Sequence, residues 1–498
     1  MATNTPKTSR YTEVERKFEV TESTVWPSFD GLSAVARVDQ SPSQRLDAVY
    51  FDTPGRDLAA HRITLRRRTG GSDAGWHLKL PAGPDARTEV RAPLGSTDDA
   101  VPEALVDTVL AIVRDRTLSP IARITTRRTV ELLHGHDGSA LAEFCDDQVT
   151  ASATEGEGAE QQWREWELEL VSADAASDLL DRLSNRLFDA GARTAGHGSK
   201  LAKVLESAGT AAEAGPSPSD PVHRAIAEQV AQLLAWDRAV RADGDDAVHQ
   251  MRVTTRKIRS LLQESADSFG LADDGWILDE LRTLAGVLGV ARDAEVLAER
   301  YERALDELAP ELVRGPIRER LVDGAKRRYE AGLRRSLLAM RSQRYFRLLD
   351  ALEALITAES TAQPGEDHPP VTIDAAYKRV RKAAKAADEA AQPENADHDE
   401  ALHRIRKGAK RLRYTAAATG AAKVADRAKS LQTLLGDHQD SVVSRTHLRT
   451  QAETAYGAGE DTFTYGLLYQ QEDDLAERSR AQLDEALKRL RKAVRKSH

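Results

Sequence analysis

Five residues near the N-terminus, Glu13-Val14-Glu15-Arg16-Lys17, carry the first chemistry of this chain. On an extended strand successive side chains alternate between faces, so Glu13, Glu15 and Lys17 share one side. Two carboxylates and an ammonium in one row are a poor surface for a hydrophobic core. They suit a divalent cation held together with a polyanion: hard carboxylate oxygens for the cation, an ammonium for the anion.

The same alternation recurs downstream. Ile63–Arg68 sets Thr64, Arg66 and Arg68 on one face, and Trp76–Leu80 sets His77 and Lys79 opposite Trp76, Leu78 and Leu80. Thr88–Arg91 places Glu89 with Arg91. In Ala122–Val130, Arg123, Thr125 and Arg127 share one side and Arg128 the other. Trp163–Leu170 sets Glu165, Glu167 and Glu169 against Trp166 and Leu168. A solvated outer face with cross-strand ion pairs would explain any one of these strands. Five in agreement point inward, to a barrel with charge inside. Acids then cluster on the first and last strands and Arg/Lys on the middle ones, a division that suits a polyphosphate with Mg2+ or Mn2+.

The elements that position these residues are legible from period and punctuation. From Tyr11 to about Leu170 the apolar period is two, broken by turns such as Thr53-Pro54-Gly55 and Gly70-Gly71-Ser72,. Helical patterns interrupt near 100–113 and 174–189 and would cover the outward apolar faces. Residues 206–220, with Gly209, Gly215, Pro216 and Pro218, read as a linker,. Beyond it strands vanish, and a loop over Ser360–Pro370 divides the helical half.

Composition bounds the rest. The 498 residues are 40% hydrophobic and 30% charged with net charge -9, a folded multidomain chain without the basic excess of a general nucleic-acid binder,. Cys145 is the single cysteine, which excludes an internal disulfide. No apolar run approaches the roughly 18 residues of a membrane span. The polar stretch Met1–Arg10 lacks a signal-peptide core. The expectation is a cytoplasmic protein without a membrane partner, and a homo-oligomer is compatible with it.

The helical half contains one motif twice. His249, Arg252, Arg256 and Arg259 have the spacing of His403, Arg406, Lys410 and Arg413. On a helix each set falls within an arc of about 80°. Beside each runs an apolar stripe: Val248, Met251, Ile258 and Leu261, then Leu402, Ile405, Ala409 and Leu412. An ordinary Lys/Arg-coated helix carries acids for pairing. None occurs between Asp246 and Glu264, or between Glu400 and Asp426. A second shared element follows each row, around Gly289-Val-Ala-Arg292-Asp293 and Gly436-Asp-His438-Gln439-Asp440. Asp293 and Asp440 read as structural residues that orient a His or Arg.

Glu-x-Glu-x-Lys at Glu13, Glu15 and Lys17 resembles the signature of the CYTH family, the triphosphate tunnel metalloenzymes. Tyr50-Phe51-Asp52-Thr53-Pro54, Leu65-Arg66-Arg67-Arg68, Leu78-Lys79, Glu167-Leu168-Glu169 and Ser199-Lys200-Leu201 are similar to its later motifs, in order. The resemblance implies metal ligands at Glu13, Glu15, Glu167 and Glu169. It implies phosphate contacts at Lys17, Arg66, Arg68, Lys79, Arg127 and Lys200, with Arg91 a further one. An acid of the strand before Glu167 would join the metal set. Asp146 is the candidate, and Glu143 has the opposite parity, so both face inward only across a bulge. Glu13, Glu15, Lys17, Arg66, Arg68 and Lys79 would then carry catalysis.

The duplicated His-and-basic motif is similar to the CHAD family, whose implied property is inorganic polyphosphate binding in a basic groove. Lys410 opposite Arg256 and Gln439 opposite Arg292 depart from equal halves. Together the resemblances imply an α+β chain. An antiparallel eight-stranded β tunnel with covering helices spans 11–205. An all-α domain of two four-helix bundles spans 221–498, as repeats of about 221–358 and 372–498.

The function they imply is metal-dependent hydrolysis of inorganic triphosphate, with polyphosphate held by the helical domain. A polyphosphate-binding protein with little catalysis is the alternative from another class. A tunnel enzyme for nucleotide or thiamine triphosphate, adenylate cyclase included, is a third. The sequence shows no aromatic cluster at tunnel positions, which favours inorganic substrates.

Overall fold

In a computed structural model of the chain, residues 8–95, 100–154, 160–172, 177–210, 221–264, 275–357, 372–389 and 396–497 are described. The loop expected at Ser360–Pro370 and most of the linker, residues 211–220, lie outside them.

The period-two region forms β1 (Ser9–Val20), β2 (Arg37–Gln40), β3 (Gln44–Asp52), β4 (Thr64–Thr69), β5 (Gly75–Pro81), β6 (Ala86–Ala92), β7 (Ser119–His134), β8 (Ala140–Ala153), β9 (Gln161–Leu170) and β10 (Arg193–Thr194). Eight of these close an antiparallel barrel in the order β1-β6-β5-β4-β3-β7-β8-β9. Closure depends on the length of β1. Its first half, Ser9–Val14, pairs with β6, and Val14–Val20 pairs with β9. The short β2 and β10 pair with β7 and β1 at the margins.

Outward apolar positions are covered by helices. Five short helices accompany the barrel: α1 (Asp57–Ala60), α2 (Glu103–Thr108), α3 (Leu110–Val113), α4 (Ser177–Asp189) and α5 (Lys200–Ser207). Leu105, Val109 and Ile112 of the α2–α3 region pack with Leu65, Trp76, Leu78 and Val90 of β4–β6. Leu180, Leu183 and Leu187 of α4 pack with Phe144, Trp166 and Leu168. Helix α5 does something different. Its Leu201, Val204 and Leu205 meet Ile124, Val149 and Ala48, which share the parity of the inward charges. The interior is therefore charged at one end and filled by α5 at the other. Ser199 caps this helix, its hydroxyl accepting from the Ala202 amide at 3.1 Å,.

The rest is helical: α6 (Pro221–Arg241), α7 (Ala247–Glu264), α8 (Trp276–Asp306), α9 (Gly324–Ala339), α10 (Gln343–Thr357), α11 (Ile373–Glu389), α12 (Ala396–Ala418), α13 (Ala422–Gly457) and α14 (Phe463–Arg495). The chain divides into two compact units. The first holds residues 1–265, 273–282 and 337–359, and the second holds 266–272, 283–336 and 360–498. In the first, α6 and α10 join α2–α3 through buried charge. Arg241 Nη1 lies 2.9 Å from Asp107 and its Nε 2.6 Å from Asp237, while Arg114 pairs with Asp350 and Glu353. In the second, α11–α14 form a four-helix bundle around Val380, Ile405, Leu412, Leu431 and Leu490.

Candidate active site

The charged end of the barrel holds a cavity of about 340 Å³ lined by Glu13, Glu15, Lys17, Tyr50, Arg66, Arg68, Lys79, Arg87, Arg91, Arg128, Glu143, Glu167, Glu169 and Lys200. Strand register explains the grouping. Glu15 stands opposite Glu169 and Lys17 opposite Glu167 across β1 and β9. Tyr50, Arg66 and His77 form one row across β3, β4 and β5, and Lys79 faces Glu89 on β6. One wall is thus acidic and the facing wall basic.

The ammonium groups bridge the acids. Lys17 Nζ is 3.0 Å from Glu15 Oε2 and 2.5 Å from Glu167 Oε1. Lys79 Nζ is 2.5 Å from Glu13 and 3.8 Å from Glu15. Lys200, at the start of α5, reaches Asp147 at 2.9 Å and both Glu165 and Glu167 at 2.7 Å. Arg128 clamps Asp147 through Nε at 2.8 Å and Nη2 at 2.6 Å, and also touches Glu167.

These pairs set the charge states. Burial alone would raise Glu15, yet Lys17 and Lys79 hold it down at about 2. Glu167 is likewise far below the usual carboxylate range despite burial, through Lys17, Lys200 and Arg128. Glu169 goes the other way: burial and then Glu13 push it up to about 7. On the basic wall, burial and then repulsion from Arg66 and Arg128 bring Arg68 down to about 9. Arg66 and Arg68 each bury an Nε with no hydrogen-bond partner. Like charges are crowded on each wall, a state that a cation on one side and an anion on the other would relieve.

Of the residues singled out in sequence, Glu13, Glu15, Lys17, Arg66, Arg68, Lys79, Arg91, Glu167, Glu169 and Lys200 meet in this cavity. Two others do not. Arg127 is exposed on the outer face, and the inward guanidinium of β7 is that of Arg128. Asp146 also faces outward. Its Oδ1 accepts from Trp166 Nε1 at 2.8 Å and Arg164 Nε at 2.7 Å, in the packing beneath α4. Between β8 and β9 the register is continuous, so there is no bulge to turn both parities inward. Glu143 and Asp147 are the inward acids of β8. Asp147, Glu165 and Glu167 bring carboxylate oxygens within 4.8 Å of one another around the Lys200 ammonium, a hard oxygen donor set of the kind a divalent cation takes,. Sequence reasoning also passed over Tyr11, Tyr50 and Arg87. Tyr50 accepts from Arg66 at 3.3 Å, and the Tyr11 ring is covered by Arg91 at 4.5 Å.

The helical rows lie one in each unit. On α7, His249, Arg252 and Arg259 are half-buried and Arg256 exposed, beside buried Val248, Met251 and Ile258. Arg259 Nε is buried without a hydrogen-bond partner. On α12, Gln439 Oε1 of α13 accepts from Arg406 Nη1 at 2.9 Å and from His403 Nδ1 at 3.1 Å. Gly436 leaves room for Arg406: a Cβ there would stand 3.3 Å from its Nη2. Lys410 and Arg413 both lie over the exposed Tyr414 ring. Asp440, read from sequence as an orienting residue, interacts electrostatically with Arg406 and Arg300, and burial raises it against their pull.

The CYTH domain family matches residues 11–184 and the CHAD domain family residues 224–449. The chain belongs to the CYTH–CHAD family. Two Mycobacterium tuberculosis relatives match this chain over their whole length. They are the uncharacterized proteins Rv2226 (strain ATCC 25618 / H37Rv) and MT2285 (strain CDC 1551 / Oshkosh), each 67% identical over 511 residues and covering 100% of both chains. Among solved structures, PptA from Streptomyces chartreusis is 20% identical with a TM-score of 0.43, covering 54% of this chain and 98% of its own. The CHAD domain from Ricinus communis is 22% identical with a TM-score of 0.39, covering 53% and 90%. The CYTH–CHAD chain has no helix among its described residues long and apolar enough to cross a membrane.

Proposed function

We propose that the CYTH barrel hydrolyses inorganic triphosphate with Mg2+ or Mn2+ and that the basic rows of the CHAD helices bind inorganic polyphosphate. The observation that carries the first part is the pair of guanidiniums of Arg66 and Arg68, which line the cavity and each keep an Nε without a hydrogen-bond partner. A planar fork with free N–H groups matches phosphate oxygens. Arg128 and Lys200, already charged and fixed by Asp147, complete a cradle around equatorial oxygens. Lys17 and Lys79 stand between the acids and this cradle. Glu13, Glu15, Glu167, Glu169 and the inward Asp147 would hold the divalent cation, which supplies Lewis-acid neutralisation of phosphate oxygens when bound. The residues orient the chain so that water meets the terminal phosphorus in line and diphosphate leaves.

The second part rests on two acid-free rows with arginine side chains held in place. The coverage of Tyr11 by Arg91 removes an open stacking face and favours an inorganic substrate. The test is phosphate release from tripolyphosphate, ATP and thiamine triphosphate with Mg2+ or Mn2+, in wild type and Glu13→Ala. Release from tripolyphosphate that disappears in the variant is expected. Metal-independent release, or none, would overturn the reading.

A further inference from the structure

His77 and Glu89 are fully buried neighbours on β5 and β6, in the wall behind the substrate cradle, and the reading above gives them no part. His77 Nδ1 lies 2.9 Å from Glu89 Oε1, and its Nε2 lies 2.9 Å from the carbonyl oxygen of Asp73. A carbonyl only accepts, so Nε2 carries a proton. One further proton must then sit between Nδ1 and the carboxyl. Its place follows from the surroundings. Burial, with Arg66, Arg68 and Lys79 adding to it, pushes the imidazole down to about 2. Burial, and then Glu169, pushes Glu89 up to about 8. Both directions favour a neutral imidazole accepting from the Glu89 carboxyl over an imidazolium–carboxylate pair.

The other oxygen of Glu89 accepts from the Tyr11 hydroxyl and from Arg91 Nε. Tyr11 Oη is also 3.2 Å from Glu13 Oε1, and Arg91 Nη2 is 3.8 Å from the same carboxylate. On the imidazole side, Asp73 pairs with Arg68 and lies 3.9 Å from Arg91. The loop that carries Asp73 is pinned at Gly70, where φ is +81° and a Cβ would fall 2.2 Å from the Arg45 carbonyl oxygen. Two cavity arginines and one cavity acid thus take their positions from one buried pair.

We propose that His77 and Glu89 are positioning residues of the tunnel: together they fix Arg91, Tyr11 and, through Asp73, Arg68 in the aim that a terminal phosphate requires. The proposal rests on the triphosphate reading of the cavity. It predicts an asymmetry between substitutions. In Glu89→Gln the amide N–H donates to His77 Nδ1 and the amide oxygen accepts from Arg91 and Tyr11, so the pattern of the carboxylic acid survives. Glu89→Ala and His77→Ala break it.

The test uses the full chain. With tripolyphosphate, Glu89→Ala and His77→Ala should raise KM about tenfold, the equivalent of one lost charge-assisted contact, with kcat within about threefold. Glu89→Gln should stay within about twofold of wild type on both constants. An unchanged KM in the alanine variants, or Glu89→Gln as impaired as Glu89→Ala, would overturn the proposal. If Glu89→Ala does not fold, His77→Ala, which removes no charge, carries the comparison. Nitrogen NMR of the chain labelled at its histidines, with His77 assigned by its loss in His77→Ala, needs no turnover. A protonated Nε2 is expected, and a bare Nε2 would overturn the proposal. A wild-type chain that hydrolyses no triphosphate but shows this tautomer would remove the activity reading and leave the strut in place.

Discussion

Lys200 Nζ sits 2.7 Å from Glu167 Oε1, although the two residues are 33 positions apart and on different elements. The contact joins the helix that fills one end of the barrel to the acid wall at the other. Leu201, Val204 and Leu205 seat the helix, Ser199 caps it, and the ammonium at its first position is carried into a cage of Asp147, Glu165 and Glu167. The packing of α5 and the charge balance of the site are therefore one construction.

Removing that ammonium should expose the cost of the cage. Lys200→Ala leaves three buried carboxylates short of a cation, and breaking a buried pair from one side costs about 3–5 kcal/mol. A divalent cation can take the vacated position, because the oxygens already converge within 4.8 Å. Calorimetric Tm should fall in Lys200→Ala and recover more with Mn2+ or Mg2+ than wild type gains. Equal metal shifts in the two proteins would rule out the cage as a cation site.

Neighbouring residues of opposite parity give a sharper comparison. Arg128→Ala removes a guanidinium that clamps Asp147 and touches Glu167, and should lower kcat/KM for tripolyphosphate by about 10²–10³-fold,. Arg127→Ala, on the exposed face, should stay within about twofold,. In the same way Asp147→Asn should shift the metal concentration needed for activity. Asp146→Asn should act on thermal stability through Trp166 and Arg164, leaving metal dependence unchanged.

Those two pairs also mark where the sequence stopped being informative. Charged alternation on β1, β4, β5, β6 and β9 located nine of the ten cavity residues, with Lys200 coming from the resemblance alone, because on those strands apolar partners on the other face make the parity readable. On β7 and β8 it is not. Arg127-Arg128 and Asp146-Asp147 put the same charge on both faces, and only the partner strand decides: Arg128 aligns with Asp147, and Asp147 with Glu165. The apolar fill at one end was hidden for a related reason. Ile124 and Val149 belong to the inward faces, yet read in isolation as ordinary core residues that α5 happens to cover. His77 and Glu89 were visible as inward polar positions, but their contact depends on the register of β5 with β6.

Acid should unfold this barrel through its own site. Glu15 is held at about 2 against an ordinary value of 4.5, and Asp147 and Glu167 are also lowered. Groups whose folded value is depressed contribute stability that is present above the unfolded value and is lost as pH falls through the folded one. The loss should run from about pH 4.5 down to about pH 2 and amount to a few kcal/mol for Glu15,. In Lys17→Met the main partner of Glu15 is gone, so its folded value moves back toward the ordinary one, and the acid loss should be smaller and end at higher pH,. The urea midpoint followed between neutral and acid pH would show this, and parallel curves for the two proteins would contradict it.

The row on α12 offers a separate test, because one amide serves two of its side chains. Gln439 Oε1 accepts from both Arg406 and His403, and it carries no charge of its own. Its removal should therefore cost pre-organisation and leave the Coulomb attraction intact. Counterion release depends on the number of cations that engage the polyanion, and side-chain aim does not enter it. Affinity of the full chain for polyphosphate of defined length should drop about fivefold in Gln439→Ala, with the slope of log K against log salt unchanged. In Arg406→Ala the drop should be larger and the slope should shrink by about one unit, as for a lost phosphate contact. Gly436→Ala should resemble Gln439→Ala, since a Cβ at 3.3 Å from the Arg406 Nη2 displaces the same guanidinium without altering charge. If Gln439→Ala changed the slope as Arg406→Ala does, the amide would be acting on the number of bound cations, and the positioning argument for this row would fail.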